Sequence, residues 1–130
     1  MDACVVSDAL IDDGPVGRSA RGALAVDSHW AAPTHLLVEV LSVVRGRTLS
    51  GKVKPARARE AIDAMSALVI DQIETVDLVE RIWQLRDNLT AYDAAYVAAA
   101  ELLGCPLLTG DARLAKAPDV RCEVRLPSIA

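Results

Sequence analysis

The sequence predicts an α/β fold in which helices alternate with short strands of a mainly parallel sheet. Hydrophobic residues make up 52% of the 130 positions and Phe is absent, a composition that favours a helix-rich α/β domain over a β-sandwich. Near the C-terminus, a helix, a tight turn at Gly104, a strand and the polar tip Thr109-Gly110-Asp111 follow one another, which is the order typical of a parallel sheet. No repeat or linker interrupts the chain, so residues 1–130 are expected to form one domain.

The first half of the chain predicts two strands and three helices. Residues 3–6 are a short apolar run that predicts the first strand, and Asp-Asp-Gly-Pro at residues 12–15 predicts a turn. Pro33 and Thr34 mark the start of a helix. The predicted helices cover residues 18–26, 34–45 and 55–68, and the second strand covers residues 29–32.

The second half predicts further strands around a long buried helix. Residues 69–76 predict one strand or a pair of short strands, and residues 77–86 predict a helix with Trp83 in the core. Residues 88–103 predict the long helix, with Gly104 as its C-cap. A strand at 106–108, a helical turn at 112–115 and a last strand at 122–126 complete the fold.

Composition also limits the location of the protein and its redox chemistry. No apolar run approaches the ~20 residues that span a bilayer, and the N-terminus lacks a basic segment of the signal-peptide type. We therefore expect a cytoplasmic protein that does not enter a membrane. Cys4, Cys105 and Cys122 are far apart and form no CxxC motif, so they are expected to be reduced core residues and not a zinc site.

Basic residues are concentrated between residues 45 and 59 in a chain of net charge −4. The net charge argues against wholesale electrostatic binding of nucleic acid, but a local patch can still hold a phosphate backbone. A solvated loop is the alternative. The basic residues are Arg45, Arg47, Lys52, Lys54, Arg57 and Arg59.

Two carboxylates are placed unusually within predicted helices. Asp93 lies in the first turn of the 88–103 helix, three residues after the candidate N-cap Thr90 and before a run of Ala. By itself it could simply favour the helix dipole. Glu39 lies in a helix that is apolar almost all round, where an ionised carboxylate is costly unless it is paired, protonated or bound to a cation. Alternatively, Glu39 faces water along a narrow polar strip.

Two further carboxylates follow predicted strands. Asp8 comes after the strand at 3–6 and Asp111 after the strand at 106–108, and ligands of parallel sheets collect beyond the carboxyl ends of strands. Two carboxylates about 4 Å apart repel by roughly 4 kcal/mol at an effective dielectric of 20. Convergence of Asp8, Glu39, Asp93 and Asp111 therefore predicts a divalent cation. All-oxygen ligation suits Mg²⁺ or Mn²⁺, which can hold a phosphate and activate water.

Three motifs resemble those of a known family. Residues 89–98 (LTAYDAAYVA) and 107–114 (LLTGDARL) are similar to the C-terminal signature of PIN-domain ribonucleases, and residues 33–40 (PTHLLVEV) resemble that family's second acidic motif. The likeness is closest to the toxins of VapBC toxin–antitoxin pairs. It covers nearly the whole chain.

The resemblance implies a three-layer α-β-α sandwich that is often a homodimer. It further implies a Mg²⁺-dependent endoribonuclease toxin that cleaves structured RNA such as tRNA or rRNA. A small cognate antitoxin (VapB-like) would neutralise it by laying its C-terminal segment across the site. In this reading Asp8, Glu39, Asp93 and Asp111 hold the metal, Thr109 helps to position the water or a carboxylate, and Arg113 contacts phosphate.

The N-terminal motif departs from the family pattern. That pattern has a strand, an Asp, several small residues and then a second Asp-Ala-Leu, whereas this chain has only Val5-Val6-Ser7-Asp8-Ala9-Leu10. Asp8 is the chosen ligand, because Asp2 precedes the apolar run and would lie at the wrong end of a strand. If neither acid reaches the metal, Glu39, Asp93 and Asp111 remain and the site is weak or inactive.

Two alternatives to the nuclease follow from other features. The shortened first motif suggests a catalytically impaired PIN-like protein that still binds antitoxin or RNA. The acidic pair Asp12-Asp13 suggests a receiver-like phosphoacceptor domain, but no acceptor Asp follows a mid-chain strand and Lys116 is poorly placed for that fold.

Overall fold

A computed structural model describes residues 1–128 of the chain. In this part the chain forms seven α-helices, one 3₁₀ turn and four short strands. In chain order these are α1 (Ala3–Ile11), α2 (Pro15–Ala25), β1 (Trp30–Pro33), α3 (Leu36–Leu49), α4 (Pro55–Ser66), β2 (Ile70–Ile73), the 3₁₀ turn (Thr75–Asp77), α5 (Val79–Gln84), α6 (Ala91–Leu103), β3 (Leu107–Leu108), α7 (Ala112–Lys116) and β4 (Val124–Arg125).

All four strands pair in parallel, as the sequence predicts. β1 pairs with β2 in a register that joins Trp30 to Ile70, and β3 pairs with β4 in a register that joins Leu107 to Val124. Within residues 1–128 these are two separate two-stranded sheets. The N–H of Asp2 donates to the carbonyl oxygen of Leu108 at 3.0 Å, so the start of the chain lies alongside β3. The α/β class with parallel strands is confirmed.

The strand expected at residues 3–6 is wrong, because these residues form the first turns of α1. The side chain of Asp2 accepts a hydrogen bond from the N–H of Val5 at 3.1 Å and caps this helix. Ala3, Val5 and Val6 are buried in the helical form. A four-residue apolar run fits a buried helix as well as a strand, and here the cap decides for the helix. Asp8 therefore lies inside a helix and follows no strand.

Helix α6 contains more buried residues than any other element of the described chain. Residues 94–100 are all buried, and five of these seven residues are alanines, whose small side chains let α5, β1 and β3 approach closely. Thr90 accepts from the N–H of Asp93 at 3.2 Å, and Gly104 ends the helix with φ 64°. Both predicted caps are confirmed. The N-terminal turn of α6 is therefore held in a fixed position by the core.

Three predictions about single side chains are wrong. Trp83, expected in the core, is 64% exposed, with the Arg86 guanidinium 4.6 Å from its ring centroid. The helix expected at 77–86 is divided into the 3₁₀ turn and the short α5, which leaves Trp83 on the outer side. Cys4 and Cys105 are exposed and Cys122 is half-buried, although all three are free thiols as expected.

Within residues 1–128, no helix is long and apolar enough to cross a membrane.

Candidate functional site

A cleft of about 380 Å³ lies where α1, α3, α6 and the loop after β3 meet. Four carboxylates line it: Asp2, Glu39, Asp93 and Asp111. They come from four segments that are far apart in the sequence. The cleft lining contains no Lys or Arg. Folding has therefore gathered acidic groups into one concave surface.

Each of these carboxylates lies at the N-terminal end of a helix. Asp2 caps α1, Glu39 and Asp93 lie in the first turns of α3 and α6, and Asp111 caps α7. The free N–H groups and the positive end of the helix dipole favour negative charge at such positions, by about 0.3–1 kcal/mol per group. The helix starts thus offset part of the repulsion between the acids.

The side chain of Thr109 forms hydrogen bonds with both Asp2 and Asp111. It is fully buried, its hydroxyl donates a short hydrogen bond to the Asp2 carboxylate, and its oxygen accepts from the N–H of Asp111 at 3.0 Å. Burial raises the pKa of Asp2, and the Asp93 charge adds to this rise. The hydrogen bonds from Thr109 and Val5 oppose it, because they favour the ionised form.

Glu39 and Asp111 each have a partner on the edge of the cleft. The hydroxyl of Tyr96 donates to Glu39 at 2.9 Å, and burial together with this hydrogen bond raises the pKa of Tyr96. His35 Nε2 lies 2.9 Å from Glu39 Oε1 without hydrogen-bond alignment. Arg113 forms a two-pronged ion pair with Asp111, with Nη2 2.7 Å from Oδ2, and it lowers the pKa of that carboxyl.

These partners keep the four carboxylates apart. In the part of the chain that the structure describes, no three His, Cys, Asp or Glu side chains converge on one point close enough to hold a metal ion. Electrostatic repulsion between the negatively charged carboxylates also keeps them apart. Ligation by three of the acids would require side-chain rotation, and the Arg113 partner of Asp111 is 87% exposed, so it can follow or release that carboxylate.

Asp8, the ligand chosen from the sequence, does not lie in the cleft, so that choice needs correction. It is six residues beyond Asp2 on α1, about 9 Å along the helix, and pairs with Arg47 at 3.1 Å. Asp2, which a strand at residues 3–6 would place at the wrong end, lines the cleft in its place. An Asp followed by residues that can begin a helix is an N-cap pattern, and this was the available signal.

Half of the predicted basic stretch is neutralised by ion pairs. Arg47, Arg57 and Arg59 pair with Asp8, Asp13 and Asp63. Arg45, Lys52 and Lys54 are exposed, and they lie at or beyond the end of α3 that is opposite to Glu39. This stretch is therefore separate from the cleft.

The model of the PIN domain family matches residues 1–120 of this chain. The chain is 43% identical over 132 residues to Ribonuclease VapC1 of Mycobacterium tuberculosis, an alignment that covers 97% of this chain and 98% of that protein. It is 35% identical over 124 residues both to Ribonuclease VapC9 of the same species and to VapC ribonuclease Mb0985 of Mycobacterium bovis, with 95% of this chain and 94% of each relative covered. The resemblance carried by the acidic motifs is confirmed, and the chain belongs to the PIN-domain family, together with these VapC proteins.

Proposed function

We propose that this protein is a metal-dependent ribonuclease toxin of the VapC type, with the acidic cleft as its active site. The observation that carries this proposal is the gathering of Asp2, Glu39, Asp93 and Asp111 in one cleft whose lining has no basic side chain. The names of the relatives, which are ribonucleases over nearly the same length, support it.

The donors in the cleft fit a hard divalent cation. Four carboxylate groups line the site, and oxygen donors with few protein ligands suit Mg²⁺ or Mn²⁺. Asp2, Glu39, Asp93 and Asp111 would hold it, with Asp2 replacing Asp8. When bound, the ion would polarise a phosphodiester group and lower the pKa of a water nucleophile.

The chain's own side chains orient this machinery. Thr109 holds the Asp2 carboxylate and the Asp111 backbone in a fixed relation, and Tyr96 fixes the rotamer of Glu39. Such supporting hydrogen bonds tune ligands at metal sites. Arg113, largely exposed beside Asp111, can exchange its carboxylate partner for a phosphate oxygen of the substrate.

The identity of the partners is a finer part of the proposal. The substrate is structured RNA such as tRNA or rRNA, and a cognate VapB-like antitoxin neutralises the protein in the cytoplasm. Val38 and Leu41, three residues apart on α3, are both exposed, and such an apolar pair on the helix surface suits either the antitoxin or a homodimer.

The test compares three matched carboxylate-to-amide variants. Asp93→Asn and Asp2→Asn should each reduce Mg²⁺-dependent cleavage of total RNA by about 100-fold or more, because each removes a charge that holds the ion. Asp8→Asn should leave the activity within a few fold, since its carboxylate contacts Arg47. Full activity of Asp93→Asn would refute the nuclease site. Activity lost in Asp8→Asn but kept in Asp2→Asn would restore the ligand chosen from the sequence.

A second candidate is a PIN protein that binds RNA or antitoxin without cleaving. The separation of the carboxylates favours it, since no three of them converge within residues 1–128. Calorimetry with Mn²⁺ discriminates the two. Absence of metal binding at millimolar Mn²⁺ together with retained RNA binding would favour this candidate over the enzyme.

A further inference from the structure

Tyr92 presents an exposed aromatic ring next to two residues that line the acidic cleft, Asp93 and Tyr96. It immediately precedes Asp93 in the first turn of α6, and it is 64% exposed. The Cα atoms of neighbouring residues are only 3.8 Å apart, so the backbone that carries the ring adjoins a residue that lines the cleft. An exposed ring at this position is not explained by packing, because most of its apolar area remains in water.

The ring is held in place on its inner side. The rings of Tyr92 and His35 lie edge to face with centroids 6.0 Å apart. His35 in turn lies 4.8 Å from the ring of Tyr96, whose hydroxyl donates to Glu39. A row of three rings therefore leads from the protein surface to a cleft carboxylate. Together with the Thr90 cap, it gives Tyr92 a defined position before any ligand arrives.

We infer that Tyr92 is a stacking platform for a base of single-stranded RNA whose phosphate enters the acidic cleft. This inference rests on the proposed ribonuclease function. Exposed aromatic rings stack on unpaired bases of RNA, and each stacked base contributes about 1–3 kcal/mol. A ring beside Asp93 can take the base of a nucleotide whose phosphate lies among the acids, since only the sugar separates the two groups. The platform selects unpaired nucleotides, because a base inside a duplex has no free face.

The experiment measures binding of fluorescein-labelled oligoadenylate and oligouridylate by anisotropy. Asp93→Asn is the parent, so that bound RNA is not cleaved. In this parent, Tyr92→Ala should raise the Kd for oligoadenylate by about 5- to 150-fold, with a smaller effect on oligouridylate. Tyr92→Phe and Tyr92→Trp should restore binding, since both keep a stacking ring. Trp83→Ala is the matched control, because Trp83 is equally exposed but belongs to α5, which contributes no residue to the cleft lining.

Salt dependence separates stacking from a general loss of structure or charge. Tyr92→Ala should leave the slope of log Kd against log salt unchanged, whereas Arg113→Ala should reduce its magnitude by about 1 if Arg113 contacts a phosphate. The thermal midpoint of Tyr92→Ala should stay close to that of the parent, since the side chain is largely exposed.

The outcomes distinguish this inference from the function on which it rests. Unchanged RNA affinity in Tyr92→Ala, with RNA cleavage by the wild-type protein, would overturn the stacking role and leave the nuclease proposal intact. Loss of self-association in sedimentation with unchanged RNA affinity would place the ring in a protein interface and also overturn the stacking role. Absence of both RNA binding by the parent and RNA cleavage by the wild type would overturn both proposals.

Discussion

Gly17 in α2 offers a test of how the N-terminal helices are joined. A Cβ atom at this position would lie 1.7 Å from the carbonyl oxygen of Asp12 and 2.6 Å from its carbonyl carbon. The Asp12 side chain in turn accepts from the N–H groups of Gly14 at 2.8 Å and Gly17 at 3.1 Å. The turn between α1 and α2 therefore closes against the bare backbone of Gly17.

The expected cost of Gly17→Ala follows from these contacts. A Cβ does not approach backbone atoms within 3.0 Å, so α2 and the turn must separate by more than about 1 Å, a displacement that removes much of the local packing energy. The separation weakens the two hydrogen bonds to Asp12, each contributing about 1 kcal/mol, and overpacking costs about 1–3 kcal/mol. Alanine's better helix propensity returns about 1 kcal/mol. The net loss in the free energy of unfolding is about 2–4 kcal/mol.

Urea denaturation followed by circular dichroism measures this loss. With an m-value of about 2 kcal/mol per M, the middle of the usual range for small proteins, the midpoint should fall by about 1–2 M. Gly22→Ala on the same helix is the matched control, because a Cβ there meets nothing within 4 Å. It should raise the free energy of unfolding by about 0.4–1 kcal/mol. Equal midpoints for the two alanine variants would refute the close approach of Gly17 to Asp12.

Two other predictions concern titrating side chains. Glu101 is paired with Arg81 at 2.6 Å and accepts from the Arg121 N–H; burial alone would raise its pKa, but these partners lower it. The stabilisation from this carboxylate is therefore present above the unfolded pKa of about 4.3 and is lost as pH falls through the lower folded pKa. Glu101→Gln should reduce the free energy of unfolding by about 2–3 kcal/mol at pH 7. Urea titrations at several pH values should show that the free energy of unfolding of this variant depends less on pH in the acid range. Cys4 is exposed as a residue, but its Sγ lies close to Gly110, and partial desolvation of the thiol together with the nearby Asp8 charge raises the pKa of Cys4 to about 11. Iodoacetamide should therefore modify Cys4 slowly at pH 8, with a rate that rises about tenfold per pH unit in mass-spectrometric assays. Rapid labelling at pH 8 would contradict this prediction.

The sequence predicts the second half of the fold better than the first. From β1 onwards the predicted strands and most helices match, because caps such as Thr90 and Gly104 and breakers such as Pro33 and Pro55 act through neighbouring residues. The 3–6 segment fails because its conformation depends on tertiary burial and on one cap, and apolar content alone cannot distinguish the two forms.

The site residues that the sequence predicts correctly also lie in segments whose structure is determined by neighbouring residues. Glu39, Asp93 and Asp111 reach the cleft because each belongs to an element that the sequence defines locally. Asp8 was assigned by analogy with a strand end, and a helix turns it toward Arg47. The exposure of Trp83 likewise depends on how α5 lies against α6, which no local pattern specifies.

Asp2 contributes both to the fold and to the candidate site, so most substitutions of this residue would affect the two together. Its side chain caps α1 through the Val5 N–H, its backbone N–H joins β3, and its carboxylate accepts from Thr109 inside the cleft. Replacement by Ala would remove the cap and the cleft charge together, so lost activity could simply reflect a destabilised α1. Asn caps helices about as well as Asp but lacks the charge. The Asp2→Asn variant therefore reports on the site while sparing the helix, and this is why its comparison with Asp8→Asn can identify the ligand.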